Sequence, residues 1–549
     1  MGIGLGYPSR RGKQGKNMEA SIRGALVGAA LALACTTTVA SDGLQQVLPP
    51  IPARPVDQQF KDAPAPWRDH LIAVRAVQQI EDPLARCLAW PDLPGVTWPE
   101  GHAEAHCRYH FTPVPSPADV DAHVAAGRVV ELEELLAKRF EGHDRAQHPD
   151  ESVHVFFAGF ETLGRTGDGM EADRISQRWL ELSPDSAFAL LARATVLEAR
   201  GWQARGRRWA RETTREQFAA MDALFAQALP LYHRAIEQSP RLTDAYIGLV
   251  SIAKSGRGMG NEARIVDQAR RVAPGCAELA LDFMRALEPK WGGSYEAMLA
   301  YASVLEPEVA ASPLIANQLA APYVVVIDSA HRAEQYTAEA ASAIDDVLAI
   351  SSNEEMLSLA AAANFKRSDG SAIDYTKAVV YLLQRQRFNT LSPWQARKLS
   401  WYFLRQEPEW ALALMTDAVE RDPDSGHGHY YLGAASYNTR RFEQAERHYL
   451  VASADPDVAQ AALRELVGMW LLDAGLSPEE SVRKAGPHLD ELLLRYPGDS
   501  RARMFDIVRD SMLGGVVSEA RMEAYLAIAD RDDPVQRKMI EAFSKALGR

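Results

Sequence analysis

The chain has 549 residues, more than one hydrophobic core supports, so several domains or a long repeat array are expected. Hydrophobic residues make up 47% of it, which excludes global disorder. The 73 acidic residues outnumber the 60 basic ones, which excludes the broad basic surface of a nucleic-acid binder.

The N-terminus reads as an address. Residues 24–34, GALVGAALALA, follow Arg23 and are too short to span a bilayer, but they match a secretory apolar region. Thr38 and Ala40 place small side chains three residues and one residue before a cut after Ala40. Residues 1–40 are therefore expected to be a signal peptide, with Met18 as an alternative start, and the mature protein is expected in the periplasm or secreted. A rival cut exists at Ala32-Leu33-Ala34-Cys35, which resembles a lipobox with Ala32 in place of the usual Leu. Cys35 would then carry a lipid anchor to the outer membrane. Ser9-Arg10-Arg11 lacks the hydrophobic pair of a twin-arginine signal. Removing residues 1–40 takes away five basic residues and Glu19, leaving a net charge of −17. No later run reaches 18 uninterrupted apolar residues, so no transmembrane span is expected.

Residues 41–66 carry Pro49, Pro50, Pro52, Pro55, Pro64 and Pro66 and read as an extended linker. Residues 67–117 read as a small, mostly irregular module with Trp67, Trp90 and Trp98. Cys87 and Cys107 bracket a stretch rich in proline, and a disulfide between them is expected in an oxidising compartment. His102, His106 and His110 recur every four residues beside Cys107, which raises a zinc site with Cys87 as a further ligand. The compartment favours the disulfide, and no metal or cofactor is assigned.

From residue 118 onward, amphipathic segments rich in Ala, Leu, Glu and Arg alternate with short Pro or Gly breaks, which predicts a helical chain. The strand-like run at 323–327, YVVVI, lies in an Ala-rich context and reads as a buried helix turn. The breaks are periodic. Pro240 and Pro274 lie 34 residues apart, and Pro423 and Pro456 lie 33 apart. That period resembles the tetratricopeptide repeat, a helix–turn–helix unit of 34 residues. Residues 426–459 fit it best: Leu432 and Gly433 allow close helix packing, and Phe442, Ala445, Tyr449 and Ala452 make an apolar stripe. Residues 392–425, 243–276 and 153–186 fit the same frame through Trp401 and Met415, Tyr246 and Val266, and Phe156 and Trp179. The expected fold is an all-α, tetratricopeptide-like solenoid of stacked hairpins. Repeats are expected over 118–307 and 391–549, with degenerate ones over 308–390.

Pro184 and Pro240 are 56 residues apart, one period plus 22, which places an insertion near 201–222. It carries Trp202, Arg205, Arg207, Arg208, Trp209 and Arg211. One reading is a patch for acidic or carboxylate-bearing partners, since arginine forks bind carboxylates and Trp faces stack on guanidinium or sugar. The other makes the Trp rings core anchors and leaves the Arg heads solvated or paired. Trp291-Gly292-Gly293-Ser294 likewise reads either as a ligand loop or as a helix end followed by a Ser294 cap. Residues 201–212, the segment 289–294 (PKWGGS) and the Cys87–Cys107 region resemble a bacterial domain-of-unknown-function family with secreted members. The resemblance implies export and a helical fold, and carries no activity.

Catalytic signatures are missing from the sequence: there is no Walker loop, HExxH, GxSxG or GxGxxG. Gly256, Gly258 and Gly260 alternate without the strand a dinucleotide site requires, His427 and His429 read as turn residues, and Cys276 reads as a buried thiol. The expected function is an exported, non-enzymatic scaffold that captures a protein or peptide in a groove of stacked hairpins. The alternative is an envelope enzyme, or a glycan- or lipid-binding factor, with its site in 201–222 or 67–117.

Overall fold

The computed structural model describes residues 59–548, apart from 142–151, 168, 258–260 and 334–335. The expected leader, Cys35 and most of the Pro-rich linker lie outside the described residues. Among those described, no β-strand occurs. The N-terminal helices are α1 (Trp67–Val77), α2 (Pro83–Ala89), α3 (His102–Phe111), α4 (Pro117–Ala125) and α5 (Val129–Glu141). Next come α6 (Ser152–Arg165), α7 (Met170–Leu182), α8 (Ala187–Arg205), α9 (Arg215–Gln238), α10 (Thr243–Ile252), α11 (Glu262–Val272), α12 (Ala277–Ala286) and α13 (Tyr295–Leu305). The middle holds α14 (Ala316–Arg332), α15 (Ala338–Leu348), α16 (Glu354–Phe365) and α17 (Tyr375–Phe388). The C-terminal part holds α18 (Pro393–Phe403), α19 (Pro408–Arg421), α20 (Gly426–Asn438), α21 (Phe442–Ala452), α22 (Ala459–Gly468), α23 (Pro478–Arg495), α24 (Ser500–Met512), α25 (Glu519–Leu526) and α26 (Pro534–Ala546).

Local chemistry starts these helices. Thr214 with Gln217 and Ser392 with Gln395 form reciprocal capping boxes at α9 and α18, which satisfy otherwise orphaned backbone donors. Ser425 and Asn353 cap α20 and α16 through single side-chain bonds. Each of the four 34-residue frames holds two helices, so the hairpins are tetratricopeptide-like: α6/α7, α10/α11, α18/α19 and α20/α21. Small residues stand where two helices touch. A Cβ on Gly433 would lie 2.8 Å from the Tyr449 ring, and one on Gly248 would lie 2.2 Å from Tyr232.

The first helices of successive hairpins pack side by side, α6 on α8, α8 on α10, α10 on α12, α12 on α14 and α14 on α16. Gln395 of α18 extends the row by donating to Ser358 of α16 at 3.0 Å. The row is the scaffold on which the candidate sites are built.

The 22 extra residues near 201–222 lengthen one hairpin, since α8 has 19 residues, α9 has 24, and the connector between them is short. Two expectations change. The run 323–327 is helical, inside α14, but its burial is one-sided: Val324 is buried while Tyr323 and Val326 are exposed. Residues 67–117 are not mostly irregular. They carry α1, α2 and α3, three helices of 7 to 11 residues. These pack on the repeats far along the chain. Trp98 Nε1 donates to Leu348 O at 2.8 Å, Arg75 pairs with Glu407 at 2.9 Å, and Arg387 bonds both Cys87 O and Asp92. The Cys87–Cys107 disulfide ties α2 to α3 and is buried against Phe388.

Candidate functional site

The first-helix row carries several cavities, each lined from several helices. The first, about 240 Å³, lies between α6, α8, α10 and α12. His154 of α6 points Nδ1 at Asp244 Oδ1, 2.8 Å away, and Nε2 at Glu278 Oε2, 3.3 Å away. Burial opposes charging this imidazole, but Glu278 and Asp244 outweigh it and raise its pKa to about 10. Glu198 of α8 is buried, accepts from the Tyr232 hydroxyl at 2.6 Å and from Trp202 Nε1 at 3.1 Å, and is pushed by burial up to about 7. Lys254 pairs with Asp282 at 3.3 Å on the same wall.

The second cavity, about 520 Å³, is lined from α3, α12, α14, α16 and α17 and shares Glu278 and Arg285 with the first. Asn353 caps α16 and so fixes Glu354 at the first helical position, where a carboxylate is favoured. His110 Nε2 lies 2.8 Å from Glu354 Oε1, and His106 Nε2 lies 3.5 Å from the same oxygen. Burial pushes the His106 imidazole down to about 4. The donor set of His106, His110 and Glu354 is one that could hold a metal ion.

The third cavity, about 750 Å³, is a groove lined by Tyr375, Trp401, Tyr402, Tyr430, Tyr431 and Tyr437, with Arg405 and Glu465 also on its wall. Tyr375 and Trp401 are 42% and 44% exposed, and their ring centroids are 5.0 Å apart.

The residues singled out in the sequence divide between core and surface. Trp202 packs against Phe225 and Trp291, at centroid distances of 5.4 and 5.9 Å. Arg205 lies over the Phe218 and Trp291 rings and donates to Gly206 O and Arg208 O, so it holds the connector in place. Trp209 does not anchor a core: it is 60% exposed, with Arg211 over its ring, and Arg207 and Arg208 are exposed beside it. Gly292 ends the short turn containing Trp291 in a left-handed conformation, and Ser294 caps α13. Cys87 is in the disulfide, and both ring nitrogens of His102 bond Pro313 and Ser352, so neither joins His106 and His110 as a ligand. His154, Glu198, Asp244, Glu278 and Glu354 went unmarked. Their signal was a charged residue within an apolar first helix, as Glu198 is in AFALLARATVLEARG.

No family model matches the chain, and no curated protein is similar to it in sequence. Among solved structures it is similar to the tetratricopeptide-repeat domain of P58(IPK), at 16% identity, over 72% of this chain and 98% of that one, with a TM-score of 0.22. It is also similar to the Cut9–Hcn1 hetero-tetramer of the APC/C, at 11% identity, over 89% of this chain and 98% of that one, with a TM-score of 0.30. Both likenesses are distant, and nothing of those assemblies is carried to this chain.

Proposed function

We propose that the protein is an exported helical-repeat scaffold of the bacterial envelope that holds an extended segment of a partner protein. The observation that carries this reading is the aromatic groove between α17, α18 and α20. Tyr and Trp faces take proline rings and aromatic side chains, and the Tyr hydroxyls with Arg405 offer partners for a peptide backbone. The occupant is therefore an extended segment bearing proline or aromatic residues. The exposed connector with Arg207, Arg208 and Trp209 is a second contact, drawing in acidic groups by charge. Export is supported by the apolar leader ending at Ala40, by the disulfide, and by the resemblance to a family with secreted members.

The test displays a peptide library against the mature protein. Enrichment of proline- and aromatic-bearing sequences is expected, with affinity reduced at least about tenfold by Trp401→Ala together with Tyr431→Ala. Glutamine at Arg207 and Arg208 is expected to weaken binding mainly at low salt. Undiminished binding by the groove variant rejects the reading, and binding of glycan oligomers alone moves it to the glycan-binding alternative. Mass spectrometry of the exported protein is expected to place its first residue at Ser41; an acylated Cys35 replaces free export with an anchored form.

A further inference from the structure

His106 and His110 stand one turn apart on α3, and Glu354 comes from α16, far along the chain, yet their three ligand atoms lie within 4.8 Å of one another. The hydrogen bonds behind them decide where the protons are. His102 Nδ1 is 2.8 Å from Pro313 O, and a carbonyl only accepts, so His102 carries its proton on Nδ1. Its Nε2 accepts the Ser352 backbone N–H at 3.2 Å, so that nitrogen carries no proton. The Ser352 hydroxyl, 2.8 Å from that Nε2, donates to it. The Ser352 oxygen is then left to accept from His106 Nδ1, 2.7 Å away. This relay places the His106 proton on Nδ1 and turns a bare Nε2 lone pair toward the Glu354 carboxylate at 3.5 Å. Two electron-rich atoms facing each other repel unless a cation lies between them.

The dimensions suit one. Zinc bonds of about 2.0–2.1 Å at a tetrahedral angle place donor atoms about 3.3 Å apart; the two His–Glu354 separations are 2.8 and 3.5 Å, and all three donor atoms lie within 4.8 Å. Ser352 supplies the outer bond that fixes a ligating imidazole. Arg385 Nη2, 3.7 Å from Glu354 Oε2, occupies the other carboxylate oxygen, and Glu355 also lines the cavity. A second observation points to a ligand in this cavity. Asn317 Oδ1 and Gln318 Oε1 lie on its wall, in residues 8% and 5% exposed, and neither has a donor among the described residues. Buried acceptors left in that state are costly.

We propose that His106 Nε2, His110 Nε2 and Glu354 Oε1 bind one divalent ion of the zinc class. Water completes its coordination from the cavity, where Asn317 and Gln318 offer acceptor oxygens. Three protein ligands and one exchangeable position are the pattern of a zinc that activates water rather than one that only braces a fold. The three ligands stand on α3 and α16, whereas the peptide groove is lined from α17, α18 and α20.

The test uses untagged mature protein, stripped with a chelator, dialysed, and titrated with zinc sulfate by calorimetry and with cobalt by visible absorption. One equivalent of zinc per chain and the absorption bands of tetrahedral cobalt are expected. His110→Ala and Glu354→Gln should each weaken zinc at least about tenfold. Ser352→Ala, which keeps all three ligands and removes only the proton relay, should weaken it by about tenfold. His448→Ala, in the separate His429–His448 pair, should bind zinc as the parent does. Far-UV circular dichroism checks that each variant is folded. Less than a fifth of an equivalent in the parent protein (about 0.2, the level of adventitious metal) overturns the proposal without reference to any variant. Equal losses in His448→Ala and His110→Ala place the metal elsewhere and overturn it too.

Discussion

Glu198 is a carboxyl whose ionisation is opposed by its surroundings. Burial raises its pKa from 4.5 to about 7, so the folded state holds the proton more tightly than the unfolded chain does. The resulting stabilisation is complete below about 4.5 and is lost as pH rises through about 7. Ionised Glu198 therefore costs about 3 kcal/mol at pH 8. Glu198→Gln keeps an acceptor for Tyr232 and carries no charge. It should be more stable than the parent at pH 8, by up to about 3 kcal/mol, and should lack the dependence between pH 4.5 and 7 in urea denaturation. Lower stability of that variant at pH 8 rejects the argument. His154 acts in the next window. Its raised pKa gives stability that is complete below about 6.5 and lost as pH climbs through about 10. His154→Gln leaves Asp244 and Glu278 facing each other, and should cost about 3–5 kcal/mol at pH 6 while flattening the alkaline limb. The two tryptophans of the connector region separate in the same way. Trp202→Ala should cost about 3 kcal/mol or more, because the ring is packed between Phe225 and Trp291. Trp209→Ala should stay within about 0.5 kcal/mol by thermal unfolding.

At the scale of the helical hairpin, the close approach of α9 and α10 depends on Gly248. An added methyl would meet the Tyr232 ring at 2.2 Å, and that ring cannot retreat without breaking its 2.6 Å bond to Glu198. Gly248→Ala should therefore destabilise by about 1–3 kcal/mol in urea unfolding, despite the better helix propensity of alanine. A gain in stability shows that the helices separate freely here. Hairpins of this kind were legible in the sequence because their signals repeat: a small residue, an apolar stripe and a proline at a fixed interval. The same logic explains what was not legible. Helices α1 to α3 are too short for periodicity to show, and proline and glycine between them read as irregularity. The long α8/α9 pair looked like an insertion because the proline count registers added length and not its conformation. The cavities were hidden for another reason. His154, Glu198, Asp244 and Glu278 contribute one residue from each of four helices, so no local motif exists to find. His106 and His110 did show their helical spacing, but their partner Glu354 is on α16 and only folding brings it there.

Across the whole of the described chain, the segment holding α1 to α3 changes what a repeat protein ordinarily does. In a simple array each hairpin touches only its neighbours, and a disturbance stays local. Here α1 packs on α17, α3 packs on both α17 and the turn that opens α14, and Thr97 N donates to Ala349 O at 2.7 Å. The segment therefore bridges repeats that lie apart in the sequence, and the Cys87–Cys107 disulfide packs against Phe388. Opening the disulfide releases a 20-residue loop, which should cost about 3 kcal/mol through loop-closure entropy. The cost should not remain in that loop. Phe388 would lose the cross-linked sulfurs packed beside it, and Arg387 would lose the ordered Cys87 carbonyl it donates to at 3.0 Å. Hydrogen exchange of Cys87→Ser/Cys107→Ser should show faster exchange in α2, α3 and the C-terminal half of α17, while α20 and α21 keep their protection. Faster exchange confined to residues 78–112, with α17 unchanged, reduces the segment to an appendage on an independent array.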